Sequence, residues 1–188
     1  FNISHVAGHI GSRDREGGQL MLEKTTLGNT GIEVTKLGFG TLVMGSLQAN
    51  LPPEEGAKVL RRAFEQGICF LDTAHTYGTY EHIRQAKEGW KQKLVIATKT
   101  PAFDYDEAEL HINQALEALD VESLDIMLLH AARAGEDVFQ ERAGAFRCLC
   151  DYKERGLIKA VGVSTHNVGT VRVAGSREDV DIIHPIIN

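Results

Sequence analysis

The sequence contains few cysteine, proline and aromatic residues. Its 188 residues include three cysteines, four prolines and one tryptophan, and aromatic residues make up 6%. Three cysteines give no disulfide framework. Cys148 and Cys150 lie two residues apart on a predicted helix, a poor spacing for metal ligands. This cysteine usage is typical of a reducing compartment, so we predict a cytoplasmic protein.

Signals of several other protein classes are also missing. No apolar stretch is long enough to span a bilayer. The net charge of −6, without any block of Lys and Arg, argues against a nucleic acid or an anionic membrane as partner. The histidines lack metal-ligand spacing, so we predict no metal site. No Gly-x-Gly-x-x-Gly opens a helix after a strand, so a Rossmann cofactor site is unsupported.

The length and composition are those of one globular domain. Apolar residues make up 43% and charged residues 24%, which is ordinary for a folded domain with a sizeable core. Residues 1–20 show no periodicity and are rich in Gly, Arg, Asp and Ser. We predict that they are a disordered leader or a non-native extension, with a native flexible arm as the alternative. Residues 21–188 are the predicted domain.

Four short apolar runs, each followed directly by one chemically capable polar residue, organise this domain. The residues that follow the runs are Asp72, Lys99, His130 and Ser164. Parallel strands that are covered on both faces have continuous apolar sequences of this kind. Because the carboxyl ends of parallel strands form the catalytic face of α/β folds, we expect the four side chains to converge. Tyr77, in the loop after Asp72, would join them.

The remaining pattern alternates helices with these strands. Residues 28–31 form a Gly/Asn turn between two extended segments, which predicts a β-hairpin. Helices are predicted at about residues 52–66, 80–88, 106–119, 138–155 and 167–173. We predict an α/β fold: a (β/α)8 TIM barrel with an N-terminal β-hairpin, incomplete because about six of its eight βα units are present. An open doubly wound sheet is the alternative.

The predicted cluster suits the reduction of a carbonyl group. A Lys99 ammonium held by Asp72 would lower the pKa of the Tyr77 phenol from about 10. Tyr77 could then act as general acid toward the carbonyl oxygen, and a neutral His130 could orient that oxygen. No common side chain delivers hydride, so a nicotinamide or a flavin is required.

Each residue also has a structural interpretation. Asp72 and Lys99 could form a structural ion pair, and Tyr77 could be an ordinary loop residue. His130 could be a hydrogen-bonded core histidine, and Ser164 could cap the following helix. Their joint placement at successive strand ends favours the catalytic interpretation.

These residues resemble the motifs of the aldo-keto reductase family. The matching segments, within a resemblance that runs from about residue 22 to residue 188, are residues 38–41, 72–78, 97–99, 128–130 and 161–164. The Asp-Thr-Ala-x-x-Tyr-Gly motif, with Lys and His at successive strand ends, is highly specific. The resemblance implies a (β/α)8 barrel plugged by its N-terminal hairpin, with NAD(P)H extended across the top.

The resemblance also implies a role for each site residue. Tyr77 would be the proton donor, Asp72 and Lys99 its tuning pair, and His130 the substrate-orienting residue. The implied cofactor-binding residues are Gly40, Thr41, Asp72, Ser164, Thr165 and His184. The implied reaction is NAD(P)H-dependent reduction of aldehydes or ketones to alcohols, and family preference points to NADP(H) over NAD(H).

Four residues depart from the family pattern. Thr165 and His166 follow Ser164, where the family often has Asn. His184 stands where a glutamine often contacts the carboxamide, and Ile187 stands where an aromatic ring often stacks on the nicotinamide. A nicotinamide-binding regulatory or accessory protein with little turnover is therefore one alternative, and an inactive barrel fragment is another.

The expected partners are limited. We predict a small carbonyl substrate, no nucleic acid and no membrane, with self-association through the exposed edge of the last strand. The sequence is similar to a subgroup with an iron–sulfur segment after the barrel. We expect such a segment only in a C-terminal part beyond this sequence, because no matching cysteine cluster occurs within it.

Overall fold

The computed structural model of the chain describes residues 15–16, 19–20 and 22–187. Two short strands, β1 (Arg15–Glu16) and β2 (Gln19–Leu20), pair antiparallel before the main domain. The prediction of a leader at residues 1–20 otherwise lies outside the described residues. It stays a prediction.

The predicted hairpin is present and covers one end of the domain. Strands β3 (Lys24–Thr26) and β4 (Glu33–Thr35) pair antiparallel. Two glycines with positive φ, Gly28 and Gly31, make the turn, a backbone conformation that glycine adopts without steric cost. Ile32 and Val34 are buried there, in one apolar cluster with side chains of the main sheet.

The main sheet has six parallel strands that follow one another in space in the order of the sequence. They are β5 (Phe39–Gly40), β6 (Phe70–Asp72), β7 (Val95–Thr100), β8 (Leu124–His130), β9 (Ile158–Thr165) and β10 (Ile182–Pro185). A doubly wound sheet would reverse its strand order at a switch point. The unreversed order confirms the incomplete (β/α)8 barrel.

Helices connect the parallel strands, as predicted. They are α1 (Pro53–Glu65), α2 (Tyr80–Lys87), α3 (Tyr105–Leu119), α4 (Val138–Glu141), α5 (Ala143–Glu154) and α6 (Val168–Gly175). Two one-turn 3-10 helices, Leu42–Met44 and His75–Tyr77, follow β5 and β6. Within the described residues, each helix is too short or too polar to cross a membrane.

The single helix predicted at residues 138–155 is wrong, because two helices meet at Arg142. Arg142 has φ −117° and ψ 30°, outside helical values. Its guanidinium donates to the carbonyl oxygens of Pro101 (3.0 Å) and His130 (3.2 Å) and lies 4.2 Å from the Phe103 ring centroid. These tertiary contacts hold the break, and they are invisible to helical periodicity.

Each central strand presents two different faces. On β7 and β8, Val95, Ala97, Ile126 and Leu128 belong to the apolar cluster beneath the hairpin. Alternate residues, such as Met127, pack against the helices in the larger core. Because side chains alternate along a strand, the next inward positions after the apolar layer are Lys99 and His130. The fold therefore places polar groups directly above a sealed apolar layer.

Candidate active site

An open cleft of about 280 Å³ lies at the carboxyl ends of the strands. Its lining residues are Asp72, Tyr77, Lys99, His130, Ser164, His166, His184, Pro185, Ile186 and Ile187. The structure thus brings together all the side chains that were expected to converge. His166, which we set aside for its lack of metal-ligand spacing, also lines the cleft.

Strand registration explains this convergence. His130 on β8 is aligned with Ser164 on β9, and Ser164 is aligned with His184 on β10. Asp72 on β6 is aligned with Gly40 on β5. Neighbouring residues in register project to the same face of a sheet. The polar side chains therefore share one layer of the curved inner face.

Lys99 is the most deeply buried group of the cleft, with 2% of its side chain exposed. Its Nζ lies 2.6 Å from Asp72 Oδ1 and donates to the carbonyl oxygen of Thr73 at 2.8 Å. Burial lowers the pKa of Lys99, and Asp72 opposes that shift. A buried ammonium requires such partners. Asp72 therefore keeps Lys99 charged inside the protein.

The phenol of Tyr77 is held above this ion pair. Tyr77 ends the 3-10 turn, and Gly78 follows with φ +66°. The ring centroid lies 5.1 Å from Lys99 Nζ and 5.7 Å from the His130 centroid, with the imidazole nearly perpendicular to it at 79°. The three groups can therefore act on one small molecule in the cleft.

The expected lowering of the Tyr77 pKa is wrong for this structure. Burial, and secondarily the negative charge of Asp72, raise the pKa of Tyr77 above its usual value. The reason is that desolvation disfavours the phenolate, and Asp72 partly offsets the field of the ammonium it holds. The phenol therefore carries its proton near pH 7.

His130 is neutral near pH 7, as predicted. Burial, and next the positive charge of Lys99, lower the pKa of His130 to about 4. Its backbone carbonyl accepts the hydrogen bond from Arg142 described above. The same arginine thus fixes the end of β8 and contributes a smaller lowering of the His130 pKa.

His184 lies on the other side of the carboxylate. Its Nδ1 is 3.6 Å from Asp72 Oδ1, and burial lowers the pKa of His184 while Asp72 raises it. Asp72 therefore faces two nitrogen groups, Lys99 and His184. Ser164 lies between His130 and His184 in register. The helix-cap interpretation of Ser164 is wrong, since Asn167 Oδ1 caps α6 by accepting from Thr170 N.

The other predicted cofactor-binding residues divide into two groups. Gly40 is exposed, and a side chain added there would meet no atom within 4 Å, so the backbone is open to a ligand. Thr41 and Thr165 are fully buried. The Thr41 hydroxyl bonds to the Thr79 hydroxyl at 2.8 Å, and Thr165 Oγ1 accepts from Asn167 N. Both hydroxyl groups are used inside the protein, and the prediction that Thr41 and Thr165 bind a cofactor stays a prediction.

Residues behind Tyr77 support its turn, and sequence reasoning missed them. Gly45 packs so closely that a Cβ there would lie 2.1 Å from the carbonyl oxygen of Tyr77. The Thr79 hydroxyl bonds to those of Thr41 and Thr73, both at 2.8 Å. A run of threonines inside a motif is a weak signal for such a cluster. A single glycine gives no sequence signal of such close packing, because the residue packed against it is known only from the fold.

Comparison with known proteins identifies the family. The sequence model of the Aldo/keto reductase family matches residues 36–185. Probable aldo-keto reductase 1 of Glycine max is 30% identical over 89% of this chain and 50% of its own length. Aldo-keto reductase YhdN of Bacillus subtilis is 30% identical over 78% of this chain and 48% of its own length. The chain spans about half the length of the curated relatives it matches.

Solved structures agree on the fold. The holo form of aldo-keto reductase AKR11C1 from Bacillus halodurans superposes with a TM-score of 0.74 and 20% identity, over 89% of this chain and 58% of that one. An aldo/keto reductase from Brucella melitensis gives a TM-score of 0.71 and 21% identity, over 89% and 64%. The matched motifs, the curved parallel sheet and these likenesses have one explanation: the chain belongs to the aldo/keto reductase family.

Proposed function

We propose that this chain carries the proton-transfer centre of an NAD(P)H-dependent reductase that converts an aldehyde or ketone to an alcohol. One observation supports the proposal above the others. A protonated phenol, a buried ammonium held by a carboxylate and a neutral imidazole line the same cleft. The family membership of the chain agrees with this chemistry.

The cleft has features that fit a nicotinamide. The Ser164 hydroxyl lies in the same layer as the reacting groups, and the backbone at Gly40 is unobstructed on the other side of Asp72. Ser164 would hold the carboxamide, and Gly40 would allow close approach of the cofactor. A reduced nicotinamide, when bound, supplies the hydride that no side chain can provide.

The chain's own residues would manage the proton. Tyr77 donates its hydroxyl proton to the carbonyl oxygen as that oxygen gains negative charge, so the phenol becomes a phenolate. The Lys99 ammonium, fixed by Asp72, stabilises the phenolate until a proton from solvent restores it. The neutral His130 donates an N–H to the same carbonyl oxygen and orients the substrate. Such fixed charges and dipoles lower a barrier because they need no reorganisation.

The experiment is cofactor oxidation with 4-nitrobenzaldehyde, carried out on the protein as it occurs in its source. We expect Tyr77→Phe to lower kcat by about 10²- to 10⁴-fold, since it removes only the donated proton. Tyr105→Phe, a change on α3 away from the cleft, is the matched control and should keep the wild-type rate. Equal rates for Tyr77→Phe and the wild type would remove Tyr77 from the mechanism.

Two finer points stay proposals. The preference for NADPH over NADH is tested by comparing kcat/KM with each cofactor. A binding or accessory role with little turnover is favoured by His184, which contacts Asp72 in the cleft. Tight NADPH binding without turnover across a broad aldehyde panel would support that role, and rapid multiple turnover would exclude it.

A further inference from the structure

Two histidines stack behind Tyr77, outside the cleft lining. The ring centroids of His75 and His111 are 3.7 Å apart with an interplanar angle of 28°. His75 begins the 3-10 turn that Tyr77 ends. His111 lies on α3 and is buried, with 8% of the residue exposed. The stack therefore joins the turn that carries the phenol to a long helix.

The same stack reaches the strand that carries Lys99. His111 Nδ1 lies 2.7 Å from the hydroxyl oxygen of Thr100, the residue after Lys99 on β7. That oxygen also accepts from Ala102 N at 3.1 Å. Either group can be the donor in the bond between Thr100 and His111, because a hydroxyl both donates and accepts. In both cases the bond ties the His111 ring to β7.

The surroundings of His75 favour its neutral form. Its Nδ1 is buried, with no hydrogen-bond partner among the described residues. An N–H at that position would be an unsatisfied buried donor, which is costly. Burial, and secondarily the neighbouring His111, lower the pKa of His75, whereas Glu107 acts in the opposite direction. Two neutral rings can stack closely, but protonation would place a charge against the partner ring.

The ionisable groups around the turn come from two sides. His111 and Glu107, both on α3, act on His75. Lys99 on β7 faces the Tyr77 ring at the other end of the turn. Gly45 and the threonine cluster hold the turn from the β5 side. On the α3 side, the stacked rings of His75 and His111 connect the turn to the helix.

We propose that His75 and His111 form a stacked pair that positions Tyr77 against Lys99 and His130, and that protonation of His75 sets the acid limit of turnover. The inference rests on the proposed function of Tyr77 as proton donor. The two histidines are positioning residues, since neither lines the cleft. As the pH falls below the usual histidine range, His75 gains a proton and the turn loses its support.

The first arm of the test separates stacking from charge. His111→Ala removes the stack, and we expect kcat at neutral pH to fall about tenfold with KM changed by less than about threefold, because misplacing a reacting group costs rate more than binding. His75→Phe keeps a ring without a titrating group. This variant should hold kcat within about threefold of the wild type at neutral pH. It should also move the acid limb of the pH–rate profile to lower pH, by about one unit.

The matched control is His82→Gln. His82 is also buried, and its Nε2 lies 2.9 Å from the carbonyl oxygen of Leu51 on another side of the fold. Thermal unfolding of every variant corrects for lost stability. If His111→Ala loses no more activity than His82→Gln, or if His75→Phe keeps the wild-type acid limb, the proposal is overturned.

A second arm needs no turnover. NMR titration follows the imidazole carbon-bound protons together with the Tyr77 ring signals, which are assigned from Tyr77→Phe. We expect the Tyr77 signals to shift at the pH at which His75 titrates, and this shift to vanish in His75→Phe. If the Tyr77 signals stay constant while His75 titrates, the coupling between the two residues is refuted. Full activity of Tyr77→Phe would instead refute the proposed function, and the NMR result would still decide the coupling.

Discussion

Strands β7 and β8, at the centre of the sheet, differ from β5 and β10 at its edges in both length and burial. The central strands have six and seven residues, and those of β7 are all buried. The edge strands have two and four residues and are partly exposed. A central strand forms hydrogen bonds on both sides, whereas an edge strand leaves one side unpaired. Register and side-chain direction are therefore fixed more tightly at the centre.

The predicted roles follow the same division. Lys99 and His130, which would act on the reacting atoms, lie on the central strands. Gly40 and His184, which would contact the cofactor, lie on the edges, and 45% of the His184 side chain is exposed. Reacting groups gain most from a rigid, preorganised setting.

Removing the positive charge of Lys99, on a central strand, should have the largest effect on activity and stability. Lys99→Met keeps the length of the side chain but leaves Asp72 without its closest partner. We expect kcat to fall by at least about 10²-fold, because the stabilised charge is lost. We also expect the free energy of unfolding, measured with urea, to fall by about 2 kcal/mol. This is less than for a fully buried pair, since 24% of the Asp72 side chain is exposed.

The control for that variant is an exposed ion pair. Lys24 and Glu33 join the hairpin strands at 3.0 Å, and about half of each side chain or more is exposed. Lys24→Met should change the free energy of unfolding by less than about 1 kcal/mol. Equal urea midpoints for the two variants would show that the buried pair contributes no more than a surface pair.

Truncating apolar side chains should show the same contrast in packing. Leu128, on β8 and 1% exposed, lies in the apolar layer below the cleft. Ile183, on edge strand β10, is only partly buried. We expect Leu128→Ala to lower the free energy of unfolding by about 3 kcal/mol and Ile183→Ala by about 1 kcal/mol. A cost at the edge equal to that at the centre would contradict the comparison.

The smallest expected effect is the difference between the pKa values of His130 and His184. Burial lowers the pKa of His130 from 6.5 to about 4, and it also lowers the pKa of the more exposed His184, where Asp72 opposes the shift. The folded state thus disfavours protonated His130. Its contribution to stability is complete above pH 6.5 and is lost as the pH falls toward 4. NMR titration should show His184 protonating first on acidification, and the reverse order would refute the comparison.

Much of the fold follows from local patterns. The Gly/Asn turn predicted the hairpin, and the apolar runs predicted the strands, because parallel strands covered on both faces need continuous apolar sequence. Proline at the start of α1 and Gly67 after its end predicted that helix closely. The break at Arg142 was missed because its contacts, with the carbonyl oxygens of Pro101 after β7 and His130 at the end of β8, are tertiary.

The sequence predicted which residues form the site, but it did not predict their pKa shifts. Strand ends and the family motif brought Asp72, Tyr77 and Lys99 to the same face. The direction of the Tyr77 pKa shift depends on how deeply the phenol is buried and how far it lies from Asp72. A list of neighbours supplies neither quantity. The stacked histidines were likewise missed, since His75 and His111 lie 36 positions apart in sequence.

Local sequence patterns specify the succession of strands and helices, and which residue stands at each strand end, because turn residues and apolar runs act locally. The tertiary structure alone decided which face of the sheet each polar side chain occupies, how deeply it is buried, and what lies against it. Thr165 and Ser164 are adjacent in the chain, yet only Ser164 lines the cleft. The physical reason is that burial and charge proximity arise from strand register and curvature, which no single segment contains.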